Sequence, residues 1–220
     1  MRIWDISPGY LNRQQLQAEL QALATLSSEF PDVFFDPVLR RWQGYQEALA
    51  WREALVLAEL RLREDYCRAM VHVASAVRWP QEFEVSPAAQ LQAVGQGRIA
   101  RPKSSQELWA QHKYSVMARD PARYRSIGKR VAQGRDGDLA NLAEELVLIL
   151  REVPSPGRLF NALEHLWGYV ADRATGAERQ AARRSPAALL EGTVELAVRL
   201  QEPYLLASTA LSDLAIFVGD

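Results

Sequence analysis

Helix-start signatures punctuate this chain from one end to the other, and almost no stretch alternates as a strand does. Asn12 with Gln15 three residues on has the form of a capping box, and it opens a run with Leu16, Leu20, Leu23 and Leu26 at helical spacing. Asp36–Pro37, Ser86–Pro87, Asp120–Pro121 and Ser185–Pro186 each pair a capping side chain with a proline in the first turn. Ser104 with Glu107 and Thr175 with Glu178 are further boxes, Asp136 or Asp138 opens another helix, and Pro203 marks a late start. The reading is an all-α, multi-helix, bundle-like fold. Only the first six residues, with Ile3, Trp4 and Ile6, carry any strand-like character.

Some expectations are finer. The helix opened by Asp36 runs to about Leu62, with Val38, Trp42, Tyr45, Leu49 and Leu55 on its buried side and Gly44 as its weak point. The stretch DYCRAMVHVASAV (65–77) reads as a third helix, with His72 as a satisfied core residue. Two glycines, a proline and several cations in GQGRIARPKSS mark a linker near 95–104. Two helical modules follow, residues 1–100 and 105–220. Gly168 is expected to permit a close helix approach.

Charge refines the picture. The chain of 220 residues has a net charge of −1, but residues 96–135 hold ten Lys or Arg against two acids, while both flanks are acidic. A local excess of +8 in an otherwise acidic chain points to a polyanion-binding surface. No run of about 18 apolar residues is present, so no membrane span is expected. The single cysteine, Cys67, and the lack of a basic, apolar leader point to the cytoplasm. With no HxxxH or CxxC pair, neither a metal nor another cofactor is expected.

The run MRIWDISPGYLNRQQLQAELQAL, with DPVLRRW, REALVLAELRLREDY and PQEF further on, resembles the pyrimidine-dimer DNA glycosylases of the phage endonuclease V type over residues 1–100. The resemblance implies an all-helical fold, a terminal amine (here Met1) as imine-forming nucleophile, and DNA contacts at Arg2 and Gln14. An α-amino group suits that role, because its reference pKa near 8 lies well below that of lysine. The family's catalytic glutamate aligns with Ala22, and two family arginines align with Gln21 and Thr25. Glu19, one helical turn before Ala22, is the substitute acid this chain offers.

The pieces QHKYSVMARDPARYRSIGKRVA and NALEHLWGYV, and more loosely EPYL, resemble the uncharacterised YbgA-like domain often encoded beside DNA photolyases. Read directly, this region interleaves aromatic and basic side chains. Trp109, Lys113, Tyr114, Arg123, Lys129 and Arg130 are candidate DNA contacts, since phosphates favour long cations and unstacked bases favour aromatic faces. His112, Asn161, His165 and Tyr169, with Glu164 nearby, are expected to line a polar pocket between two helices. The sequence thus supports a DNA-damage-associated, DNA-binding protein with possible glycosylase/AP lyase chemistry on UV-damaged duplex. The alternatives are a degenerate scaffold whose C-terminal pocket acts on a small molecule or modified nucleoside, and a purely structural helical adaptor.

Overall fold

The computed structural model describes residues 2–28, 40–63, 73, 75–135 and 138–218. Met1, the Asp36–Pro37 cap, Val38, Cys67, His72, Asp136 and most of the expected third helix lie outside them. The described residues contain eleven α-helices and no strand. In chain order they are α1 (Arg13–Ser28), α2 (Gln46–Leu62), α3 (Pro87–Ala93), α4 (Ser105–Arg119), α5 (Pro121–Ala132), α6 (Leu139–Leu150), α7 (Pro156–Trp167), α8 (Gly176–Ala182), α9 (Pro186–Arg199), α10 (Pro203–Leu206) and α11 (Ala210–Asp213). None is long and apolar enough to cross a membrane.

The caps form as their residue types dictate. Asn12 and Gln15 exchange backbone-to-side-chain bonds at 2.9 and 3.0 Å. Asp120 accepts from the amides of Ala122 and Arg123, and Thr175 with Glu178 closes a full capping box. Ser104 caps Glu107, while the Glu107 carboxylate reaches back to the amide of Lys103 instead of its cap. The long helix expected before Leu62 is interrupted. Gly44 sits at φ +79°, a left-handed conformation that ends one turn and lets α2 begin afresh at Gln46.

Two apolar cores organise the helices. The first gathers Trp4, Leu16, Leu23, Trp42 and Leu49 with Leu108, Val116, Ile127 and Leu146, so both sides of residue 100 contribute to it. The second is built from α4, α7, α9, α10 and α11 around Leu163, Leu166, Leu196 and Leu211. The segment expected to be a linker is packed. Ile99 is buried and its amide donates to the Gly9 carbonyl, while Arg98 pairs with the buried Glu59 and donates to the carbonyls of Leu206 and Ser208. A Cβ on Gly97 would lie 2.5 Å from the Tyr10 carbonyl group, so only glycine allows this strap to lie so close. Gly168 has no such role: a Cβ there would meet only carbonyls of its own turn.

The opening segment forms no strand and bends at Asp5 and Ile6. Ile3, Trp4 and Ile6 are buried, and charged groups hold the backbone between them. Asp5 accepts from Arg41, Arg151 and Gln90, and Gln90 in turn accepts from the Asp5 amide.

Candidate functional site

The residues expected to share a pocket separate into two sites. His112 lies inside α4, 4% exposed, and its ring meets Tyr10 and Thr209. Gln111 donates through Nε2 to the Ala100 carbonyl, which leaves its Oε1 to accept from the Tyr10 hydroxyl at 2.7 Å. With the phenol proton so used, His112 Nε2–H donates to the Tyr10 oxygen at 2.9 Å, while Nδ1 lies 3.2 Å from the Thr209 hydroxyl, which itself donates to the Gln111 carbonyl at 3.1 Å. The ring is neutral at physiological pH. Burial, above all, pushes its pKa down to about 4. The chain joins residue 10 to residues 112 and 209, and its role is to hold the fold.

His165 and Tyr169 belong to the surface instead. The His165 ring stacks on Tyr114, with ring centroids 6.2 Å apart. The Tyr114 and Tyr169 hydroxyls are 2.9 Å apart. Tyr169 stacks almost parallel on Tyr204 at 4.8 Å, and Tyr204 meets Tyr114 edge-on. The ammonium of Lys113 sits 5.0 Å from the Tyr114 ring centre and 4.9 Å from that of Tyr204. At the margin, Arg173 donates to the Tyr169 carbonyl and pairs with Glu202. Asn161 is exposed one turn before His165, and no bond joins it to the cluster.

This arrangement follows from the local sequence. Lys113 and Tyr114 leave α4 side by side at the border of the second core. His165 lies in the last turn of α7, Tyr169 in the turn that follows it, and Pro203 starts α10 so that Tyr204 falls in its first turn. Burial raises the Tyr114 and Tyr204 phenols, and the contact with Tyr169 raises them further, so they remain neutral hydroxyls at physiological pH. No carboxylate takes part in the tyrosine contacts. The cluster offers aromatic faces, hydroxyls and a cation, which suits binding a flat ring beside an anion. Tyr204 was not among the residues expected for the site; its only sequence signal was its place in EPYL.

The other expected contacts divide. Trp109 is 8% exposed, packs on Tyr124 and lies against Gly128, so it is a core residue. Arg123 pairs with Glu152 and Asp120, and Arg130 with Glu145. Arg98 and Arg119 turn inward, the latter onto Asp213 and the carbonyls of Ser115 and Glu152. Six cations of the basic stretch, Arg101, Lys103, Arg123, Arg125, Lys129 and Arg135, are exposed, and Arg125 and Lys129 share one face of α5. The surface excess is therefore smaller than the +8 of the sequence.

In the first half, Arg2 is exposed with its guanidinium 4.9 Å from the Trp4 ring centre, and Gln14 is exposed on α1. Ala22 is fully buried. Glu19 is 1% exposed. Both its oxygens are held by Arg52 at 2.8 and 2.9 Å, and one also accepts from the Trp4 amide at 2.7 Å. That carboxylate anchors the opening segment to α2 and is closed to solvent, so it is not an accessible acid.

No curated protein and no solved structure matches this chain. No glycosylase family model matches its first half. Residues 113–212, which begin at Lys113 and span the whole tyrosine cluster, match the family described as Protein of unknown function (DUF1722), in agreement with the YbgA-like resemblance of the second half.

Proposed function

We propose that the protein binds DNA and that the cluster of Lys113, Tyr114, His165, Tyr169 and Tyr204 is the surface that receives an unpaired or extruded base. The observation that carries this reading is the Tyr169–Tyr204 stack. Tyr169 is 37% exposed, so a third flat ring can extend a stack already ordered by a hydroxyl bond and a lysine. Exposed cations on α5, Arg125 and Lys129, supply phosphate contacts. The damage-related part of the proposal rests on the glycosylase resemblance of residues 1–100. A lesion that weakens pairing lowers the cost of extruding a base. Strand cleavage is not part of the proposal, because Glu19 is committed to Arg52 and Ala22 stands at the family's acid position.

Fluorescence anisotropy with labelled single strand, intact duplex and UV-irradiated duplex tests it. Single strand and irradiated duplex are expected to bind more tightly than intact duplex, with affinity falling as salt rises. Tyr169→Ala is expected to weaken binding to single strand by about tenfold, in line with the loss of one base–aromatic stack. No binding by any of the three DNAs, or a Tyr169→Ala variant that binds like the parent, would defeat the reading.

A further inference from the structure

A second site lies where the opening segment meets α2, α6 and α11. A narrow cleft open to solvent is lined by Trp4, Asp5, Trp51, Trp79, Val147 and Arg151 among others. Trp51 and Trp79 meet edge-to-face at 5.5 Å, and Arg151 lies over Trp79 at 5.0 Å.

Two features of this region are unbalanced in the same sense. The first is charge. Arg41 and Arg151 both bond Asp5 Oδ1, at 2.6 and 3.1 Å, and all three side chains are largely buried. The neighbouring pairs Glu19–Arg52 and Asp213–Arg119 are each neutral, so among the described residues one positive charge here lacks a counterpart. Burial, above all, pulls the Arg151 guanidinium below its ordinary pKa, as expected for a cation short of anionic partners. The second is hydrogen bonding. Among the described residues, three buried side-chain polar atoms have no partner: Arg41 Nε, Trp51 Nε1 and Trp79 Nε1. All three are donors, and all belong to residues of this cleft or its Asp5 cluster. A buried donor without an acceptor is costly, and three gathered in one place call for an acceptor-bearing occupant.

We propose that this cleft binds a small aromatic carboxylate, its ring against the tryptophan and valine walls and its carboxylate supplying the negative charge and acceptor oxygens that Arg151 and the two indoles lack. The site is independent of the tyrosine cluster and of DNA binding.

The test is a titration of the full chain with sodium benzoate, ionic strength held constant with sodium chloride. Tryptophan fluorescence and thermal unfolding are the readouts, and benzamide serves as the uncharged isostere. Benzoate is expected to give a saturable fluorescence change and a raised Tm, with benzamide weaker by about tenfold or more. Arg151→Met, which leaves Asp5 paired with Arg41, is expected to lose about tenfold in benzoate affinity. Trp79→Phe keeps the aromatic wall and removes one unpartnered donor. It is expected to fold at least as stably as the parent without benzoate and to bind benzoate less tightly, which keeps the test decisive if Arg151→Met fails to fold. The proposal is overturned by the absence of a saturable response, by equal responses to benzoate and benzamide, or by parental benzoate affinity in every variant that folds.

Discussion

At the residue scale, the two histidines singled out by the sequence illustrate how burial decides chemistry. His165, exposed against Tyr114, keeps a ring face for a ligand; His112, sealed between Tyr10 and Thr209, is a neutral strut. The strut has a pH signature. Its folded pKa, about 4, lies below the ordinary value of 6.5, so the unfolded chain takes up the proton first as pH falls. The contribution is fully present above pH 6.5 and is lost progressively down to about pH 4. It amounts to about 3 kcal/mol over that window. Urea unfolding at pH 7 and pH 4.5 checks this: the parent should lose more stability on acidification than a His112→Gln variant. Equal losses would remove His112 from the account. Other groups also titrate in that range, Glu59 among them with its carboxyl held low by Arg98 and Arg63 despite burial, so the difference between the two proteins is the informative quantity.

At the scale of elements, what was legible in the sequence was local. Asn12 with Gln15, Asp120 with Pro121 and Thr175 with Glu178 mark their helices because a cap joins residues two or three apart. The break at Gly44 was visible only as a weak point, since the same residue can sit inside a helix or end it. The strap at 95–104 misled for a related reason: glycines and a proline read as slack, yet Gly97 is there because the Tyr10 backbone leaves no room for a side chain. Gly97→Ala is therefore expected to destabilise the protein by about 1–3 kcal/mol. Gly157→Ala, with nothing near its Cβ position, should cost far less. Chemical denaturation of the two variants measures this, and similar stabilities would show that the strap is not held at Gly97.

At the scale of the whole molecule, the site depends on partners too far apart in sequence for any periodic pattern to announce. Glu19 and Arg52 are 33 residues apart, Tyr10 and His112 are 102 apart, and Asp5 and Arg151 are 146 apart. Charge counting along the chain likewise could not tell that Arg98 and Arg119 face inward while Lys129 faces water. The tyrosine cluster was half legible. Lys113, Tyr114, His165 and Tyr169 stood out as residues, but their grouping around Tyr204 needed the fold to bring α4, α7 and α10 together. The account's central claim is that this grouping contacts an unpaired base. Photocrosslinking tests it most directly, using a single-stranded oligonucleotide carrying 5-iododeoxyuridine and mapping the attached peptides by mass spectrometry. The account predicts adducts on the peptides that contain Tyr169, His165 or Tyr204; adducts confined to residues 2–28, or none at all under conditions where the strand is bound, would contradict it.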